Sequence, residues 1–142
     1  IGTHEGRPVL YEKGQKTELG SSRQALMQVL ARSRIVLQSS PGMHAQEFER
    51  TGGFSPVTPR FFEAAAKCCH MVGIYPENDE FRRLCIADIC QKVTTYAEFN
   101  DEVKKFLISP FGTSELARNQ AFLRANTTER RAEDIIRVLQ LS

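Results

Sequence analysis

The chain of 142 residues is long enough for one domain, because a chain of this size buries roughly 68–70% of its unfolded surface. Its composition, 41% hydrophobic and 25% charged, is ordinary for a globular protein. The net charge of +2 and the pI near 8.4 do not by themselves indicate nucleic-acid binding, which is more typical of domains with a pI above about 9.

Membrane insertion and secretion are not expected. A transmembrane helix needs about 20 consecutive apolar residues, and the sequence contains no such run. The N-terminal segment is polar and of mixed charge, unlike a signal peptide. The first residue is Ile1 instead of Met, which indicates a processed chain or a segment of a longer one. Free, buried thiols in a reducing, cytoplasmic setting are the simplest interpretation of Cys68, Cys69, Cys85 and Cys90.

Residues 1–20 predict a non-helical N-terminal arm. The segment from Pro8 to Tyr11 is typical of an extended chain, and Lys13 and Gly14 can turn it back. A short hairpin and a disordered tail both fit, because two strands alone are marginally stable in water. Residues 21–142 are then expected to form a single helical domain.

The first helix is predicted to begin at Ser21, with Gln24 as its capping-box partner, and to continue to about Gln38. Its apolar residues at helical spacing are Leu26, Val29, Leu30, Val36 and Leu37. Residues 39–42, with the sequence Ser-Ser-Pro-Gly, are expected to end it. A short helix over residues 43–50 and a loop over residues 51–57 follow.

Residues 58–93 predict a buried helical hairpin. Thr58 and Pro59 suit the N-cap and first helical positions, and Gly73 suits a left-handed residue after the helix end. The residues between them are apolar almost all round, as in a buried helix. A second helix is expected to start near Asn78 or Asp79, with four inward residues: Phe81, Leu84, Cys85 and Ile89.

Three more helices are predicted in the C-terminal third. Thr95 with Glu98 forms a capping box, Ser114 caps a helix to about Ala125, and a last helix follows a break at residues 126–128. The residues of the last helix expected to face inward are Ala132, Ile135, Ile136 and Leu139. The predicted fold class is therefore all-α, a compact bundle of six or seven short helices with a non-helical N-terminal arm.

No catalytic residue, metal, cofactor or small-molecule substrate is predicted. The cysteines with His70 would supply enough ligands for zinc, but their spacing differs from that of paired-cysteine zinc motifs. Cys69 and His70 would point apart on one helix, which argues against a nucleophilic dyad. Asp88 is expected on the inner side of its helix, where a structural ion pair or an edge position that reaches water is favoured over a catalytic acid.

Arginine placement is the most informative charge pattern. Residues 21–46 contain Arg23, Arg32 and Arg34 and no acidic residue. The arginines of the C-terminal third that would complete a phosphate-binding face are Arg118, Arg124, Arg130 and Arg131. Acidic residues lie among this second set, so a self-neutralised surface is the favoured interpretation of it.

The favoured function is a non-enzymatic interaction or assembly domain of a larger protein, which docks a protein partner or copies of itself. A basic first helix and an acidic segment over residues 77–102 would allow head-to-tail contact. Phe54 and Phe111 are candidate interface anchors, although they would equally cover the core of their own chain. The alternative function is a nucleocapsid- or coat-type packaging domain that binds RNA or DNA through the arginines.

Overall fold

The computed structural model describes residues 2–4, 7–18, 22–43, 49 and 51–140. The predicted N-terminal arm contains an antiparallel meander of three strands, β1 (Gly2–His4), β2 (Arg7–Glu12) and β3 (Gln15–Glu18), in the order β1-β2-β3. Lys13 and Gly14, both with positive φ, form the two-residue turn between β2 and β3. Ser21 and most of the predicted helix over residues 43–50 lie outside the described residues.

The rest of the described chain alternates helices and strands. In chain order it contains α1 (Arg23–Arg32), β4 (Ile35–Ser39), α2 (Pro59–Ala66), β5 (His70–Ile74), α3 (Asp79–Arg83), a 3-10 turn (Ile86–Asp88), β6 (Cys90–Lys92), α4 (Tyr96–Ile108), α5 (Thr113–Ala125) and α6 (Thr128–Gln140).

A parallel sheet in the order β4-β5-β6 lies at the centre of this unit, so the prediction of an all-α bundle is wrong. β5 is the middle strand, with Val36 opposite Met71 on one side and Val72 opposite Gln91 on the other. Because β4 and β5 are parallel, the chain must cross over between them, and α2 makes this connection. The fold class is mixed α/β.

Each predicted helix of the first two thirds is shorter than expected because a strand follows it. Helix α1 ends at Arg32, and Ser33 has extended dihedrals (φ −90°, ψ 133°), so residues 35–39 continue as β4. Helix α2 ends at Ala66, and the left-handed Cys68 (φ 55°) turns the chain into β5. The left-handed Cys85 (φ 54°) likewise ends the predicted second helix of the hairpin before β6.

The sheet is covered on both faces. Successive side chains of a strand point to opposite faces, and Met71 belongs to the same buried cluster as Phe61 of α2, whereas His70 stacks on Phe106 of α4. On the α2 face, Phe61 makes edge-to-face contacts with Tyr75 at 6.2 Å and Phe81 at 5.8 Å. Helices α1 and α5 pack against α2 and enclose this core.

Two buried polar contacts fix the positions of these helices. The Cys69 thiol donates hydrogen bonds to the carbonyl oxygens of Leu30 and Ser33, both at 3.3 Å, and so ties the end of α1 to the start of β5. The amide of Asn119 on α5 donates to the carbonyl oxygen of Ala65 on α2 at 3.2 Å.

The three predicted C-terminal helices are confirmed, but the predicted inward face of the last helix is not buried. Helix α4 begins with the predicted capping box of Thr95 and Glu98, whereas α5 is capped at Gly112 instead of Ser114. Helix α6 forms as predicted, yet its supposedly inward residues are exposed, with Ile135 at 61% and Leu139 at 69%. No helix in the described ranges is both long and apolar enough to cross a membrane.

Candidate functional site

Two helix N-termini lie at the same edge of the parallel sheet. Helix α1 leads into β4 through two residues and α2 leads into β5 through three, so each helix runs opposite to the strand that follows it. Their N-termini therefore lie at the edge where the strands end, which we call the carboxyl edge. Residues that directly follow a strand also lie at this edge. Parallel α/β sheets bind their ligands there.

Both N-termini carry positive charge. Neither α1 nor α2 has an acidic residue in its first turn, and each has an exposed arginine there, Arg23 and Arg60 respectively. Thr58, the N-cap of α2, makes no side-chain capping hydrogen bond, whereas Ser22 caps α1 by accepting from the Ala25 amide at 3.2 Å. Backbone N–H groups and the helix dipole favour an anion at such a terminus.

An ion pair links the two helices. Nε of Arg23 lies 3.1 Å from Oε1 of Glu63, and the side chains are 77% and 9% exposed. The carboxylate is thus held almost buried in the second turn of α2, while the guanidinium remains in solvent. A buried carboxylate needs hydrogen-bond donors, and hydroxyl groups of a ligand are suitable ones.

Buried hydroxyl groups without partners also lie at the carboxyl edge. Ser40 directly follows β4, donates its amide to the carbonyl oxygen of Ile74 at 3.1 Å, and is 1% exposed. Ser55 is 6% exposed, and its carbonyl oxygen accepts from the Asn78 amide just beyond β5. Neither serine hydroxyl has a hydrogen-bond partner in the described part of the chain. Buried polar groups normally have partners, so both hydroxyls are candidates for ligand contact.

The long connection between β4 and α2 brings Ser55 to this edge. It spans residues 40–58, and its second half is held by the amide of Val57, which donates to Glu80 of α3 at 3.1 Å. Gly42, with φ +81°, lies so close to the chain that an added Cβ would be 2.8 Å from the Phe54 carbonyl oxygen.

The carboxyl edge becomes acidic toward β6. A cleft of about 520 Å³ lies at the end of this strand and contains one lysine, Lys92, which forms an ion pair with Glu77 at 2.7 Å. Its other acidic residues are Glu98, Asp101 and Glu102. An anion is therefore favoured at the β4 and β5 side of the edge and disfavoured at the β6 side.

The predicted arginines do not gather on one face. Arg23 lies at the carboxyl edge, whereas Arg32 follows about 14 Å further along α1 and Arg34 donates to the Ser109 carbonyl oxygen near the opposite edge. In the C-terminal set, Arg118 pairs with Glu115 at 3.5 Å and Arg130 with Glu133 at 3.2 Å. Arg131 lies over the Phe62 ring at 5.3 Å, and Arg124 lies in the last turn of α5.

The other candidate residues divide between the surface and the core. Phe54 is 62% exposed, whereas Phe111 packs on the His70 ring at 5.0 Å. Asp88 is exposed, not on an inner face. Burial raises the pKa of the Cys69 thiol to about 11 and that of Cys90 to about 12, so these thiols are protonated at neutral pH. Among the described residues, no three His, Cys, Asp or Glu side chains could together hold a metal ion.

A smaller cavity of about 200 Å³ lies at the opposite, amino edge of the sheet, where β5 and β6 begin. His70, 5% exposed, lines it and stacks on Phe106 with ring centroids 4.2 Å apart. Burial lowers the pKa of His70 from 6.5; Arg34 also lowers it, whereas Glu115 and the Ser109 carbonyl raise it. The imidazole is therefore neutral at pH 7.

Acidification is expected to destabilise the protein through His70. A base whose pKa is lower in the folded state binds more protons when unfolded, so stability rises with pH across this interval. The contribution of His70 to the free energy of unfolding is intact above pH 6.5. It is lost as the pH falls from 6.5 toward the lower pKa of His70 in the folded protein. The free energy of unfolding, measured in urea from pH 8 to 5, should show this fall, and His70→Gln should remove it. An equal fall in the variant would contradict the assignment.

Sequence reasoning found Arg23 but missed its partner and the two serines. Glu63 carried a signal, since it is the one charged residue in the apolar run between Arg60 and Lys67. Ser40 carried none, because Ser-Ser-Pro-Gly is an ordinary loop sequence. In comparisons with protein-family models, curated proteins and solved structures, no match to this chain is found.

Proposed function

We propose that the protein binds a small phosphate-bearing ligand with free hydroxyl groups, such as a nucleoside diphosphate or a sugar phosphate, at the carboxyl edge. The observation that carries the proposal is the pair of buried serines, Ser40 and Ser55, whose hydroxyls have no partner among the described residues. They lie at the edge where two acid-free helix N-termini also lie. Phosphate oxygens accept hydrogen bonds from hydroxyls, backbone N–H groups and guanidinium groups alike.

The Arg23–Glu63 pair supports the hydroxyl-bearing part of the ligand. A phosphate alone would be repelled by the nearly buried carboxylate of Glu63, which is 3.1 Å from Arg23. A ligand with both groups can place its phosphate toward Arg23 and Arg60 and donate hydroxyl hydrogens to Glu63. The proposal departs from the expectation of no small-molecule ligand because a parallel sheet, unlike a helical bundle, has a carboxyl edge. It assigns binding and no catalytic step.

Calorimetric titration with ADP and with inorganic pyrophosphate separates the two parts of this site. Arg23→Ala should weaken both ligands by about tenfold, the usual loss for a hydrogen bond to a charged group. Glu63→Gln should weaken ADP, because the ribose hydroxyls lose a charged acceptor, and should not weaken pyrophosphate, which has no ribose and is repelled by the carboxylate. Circular dichroism of each variant confirms that it is folded.

The control is the ion pair of Arg130 with Glu133 on α6, which has a similar separation of 3.2 Å. Arg130→Ala and Glu133→Gln should leave both affinities unchanged. Absence of binding by the unaltered protein, or an equal loss in the control variants, would contradict the proposal.

Protein docking is the second candidate, and the exposed face of α6 favours it. Ala132, Ile135, Ile136 and Leu139 recur at helical spacing, and the helix has no buried residue in the described chain. The last three of these side chains are more than half exposed. An apolar helix face of this kind is typical of an interaction surface. We therefore retain association with copies of the same chain as a proposal, now placed on α6.

Light scattering tests this second proposal. The mean mass should rise with protein concentration, and Ile136→Asp should keep the protein monomeric because it places a charge on the apolar stripe. Arg137→Ala, on the polar side of α6, should still associate. Neither variant should change the free energy of unfolding by more than about 0.5 kcal/mol, since neither side chain is buried. A strictly monomeric unaltered protein would remove the proposal.

Nucleic-acid packaging and a cytoplasmic location stay predictions. Arg23, Arg118 and Arg130 each form an ion pair within the chain, which weakens the case that they bind the phosphates of a packaged nucleic acid. The four cysteines are free thiols, which supports a reducing compartment as a proposal.

A further inference from the structure

Phe54 differs from the other phenylalanines that the structure describes, because its ring contacts no other aromatic ring. Each of the others packs on a phenylalanine, tyrosine or histidine ring. Phe54 is 62% exposed and lies on the connection between β4 and α2. A single exposed apolar side chain is ordinary on a protein surface, so the surroundings of the ring decide whether it has a role.

The backbone around Phe54 is held at the carboxyl edge. Its amide donates to the Thr51 carbonyl oxygen at 3.1 Å, which closes a turn through two glycines with positive φ. Its own carbonyl oxygen lies against Gly42, where an added Cβ would approach it to 2.8 Å. Gly42 is only two residues beyond Ser40, which directly follows β4. The Phe54 ring is therefore carried by a segment that packs on the chain leaving β4.

The groups assigned to the ligand lie close to this ring along the chain. Ser55, whose buried hydroxyl has no partner among the described residues, is the next residue. Thr58, the N-cap of α2, follows Phe54 by four residues, which span at most about 14 Å when fully extended. A ligand of nucleotide size can therefore contact the α2 N-terminus with one end and the Phe54 ring with the other.

We propose that the ligand of the carboxyl edge is a nucleotide and that Phe54 stacks on its base. This inference rests on the proposed phosphate site and narrows it, because a sugar phosphate has the phosphate and hydroxyl groups but no flat ring. The phosphate faces the two helix N-termini, the ribose hydroxyls donate to Glu63, and the base covers the Phe54 ring. Stacking requires only a π-face, so Phe54 separates nucleotides from sugar phosphates and does not choose among bases.

AMP and ribose 5-phosphate are a matched pair of probes, because they share the phosphate and the two neighbouring ribose hydroxyls and differ by the base. In calorimetric titration the unaltered protein should bind AMP about tenfold more tightly, as expected for one stacked base. Phe54→Ala should abolish this preference by weakening AMP alone. The variant should remain folded, because the ring it removes is exposed.

Tyr96→Ala is the control, because Tyr96 is also an exposed aromatic residue, at 81%, and lies at the start of α4 beside the acidic cleft. It should leave both affinities unchanged. Phe54→Trp should keep the preference for AMP. The sequence contains no other tryptophan, so the fluorescence of this variant should change saturably with AMP and not with ribose 5-phosphate.

The outcomes separate base stacking from the phosphate site itself. Equal affinities of the unaltered protein for the two probes, unchanged AMP affinity in Phe54→Ala, or an equal loss in Tyr96→Ala would overturn stacking on Phe54 and leave the phosphate site in place. A loss of both probes alike in Phe54→Ala would make the ring a support of the loop and would also overturn stacking. No binding of either probe would overturn the inference, and no binding of ADP and pyrophosphate would overturn the phosphate site with it.

Discussion

Gly73→Ala is expected to destabilise the protein by about 3 kcal/mol or more, a large part of the 5–15 kcal/mol that stabilises a typical domain. Gly73 lies in the middle strand β5, opposite Gln38 of β4. A Cβ atom there would lie 2.1 Å from the Gln38 carbonyl oxygen and 2.8 Å from its carbonyl carbon. These are backbone atoms of the neighbouring strand, so the two strands must separate to admit a methyl group.

Gly14→Ala is the matched control, because Gly14 has φ +79° and nothing within 4 Å of the added atom. Its cost is conformational only, about 1 kcal/mol. Urea unfolding followed by circular dichroism gives both values. The comparison distinguishes the sheet from the helix end predicted by the sequence, where Gly73→Ala would also cost about 1 kcal/mol. Equal effects of the two substitutions would contradict the β4–β5 pairing.

Phe61→Ala is expected to destabilise the protein by about 3–5 kcal/mol, the usual cost of removing a buried aromatic ring. Phe61 is 1% exposed and contacts the rings of both Tyr75 and Phe81. Tyr75 directly follows β5 and Phe81 belongs to α3, so the loss of the Phe61 ring opens a cavity between α2 and the segment that leads to β6.

Phe54→Ala provides the comparison for this core position. Phe54 is 62% exposed, so its removal should change the free energy of unfolding by no more than about 0.5 kcal/mol. Thermal or urea unfolding measures both variants. A Phe61→Ala protein as stable as Phe54→Ala would mean that the aromatic cluster is not the core of this fold.

The sequence predicted best those elements whose signals are local. The capping box of Thr95 and Glu98 satisfies backbone groups within one turn, and α4 begins there as expected. The hydrophobic spacing of α6 also predicted a helix correctly. The prediction that its apolar face points inward was wrong, because hydrophobic spacing identifies an apolar face and does not say what covers that face.

The parallel strands were missed because a short apolar run fits a buried strand as well as a helix. Ile35 and Val36 are β-branched and favour a strand, but they followed helical spacing from Leu30 and were assigned to the helix. The break before β5 falls at Cys68, a left-handed residue that is not glycine, and the sequence gives no sign of it.

The candidate site was predictable only in part. The absence of acidic residues from the first predicted helix pointed to Arg23. Helix α1 likewise has no acidic residue in its first turn. Its pairing with Glu63, 40 positions later, depends on the packing of α1 on α2, which an all-α arrangement did not provide. The importance of Ser40 and Ser55 comes from their burial at the end of a strand, and burial of a loop serine has no sequence signal.

Backbone amide NMR during a titration with ADP tests the binding proposal most directly. We predict saturable shifts at the N-termini of α1 and α2 and at Ser40, with little change at the amino edge around His70 and Cys90. Shifts confined to the amino edge, or spread over the arginines of α5 and α6, would contradict a phosphate site at the carboxyl edge of the parallel sheet.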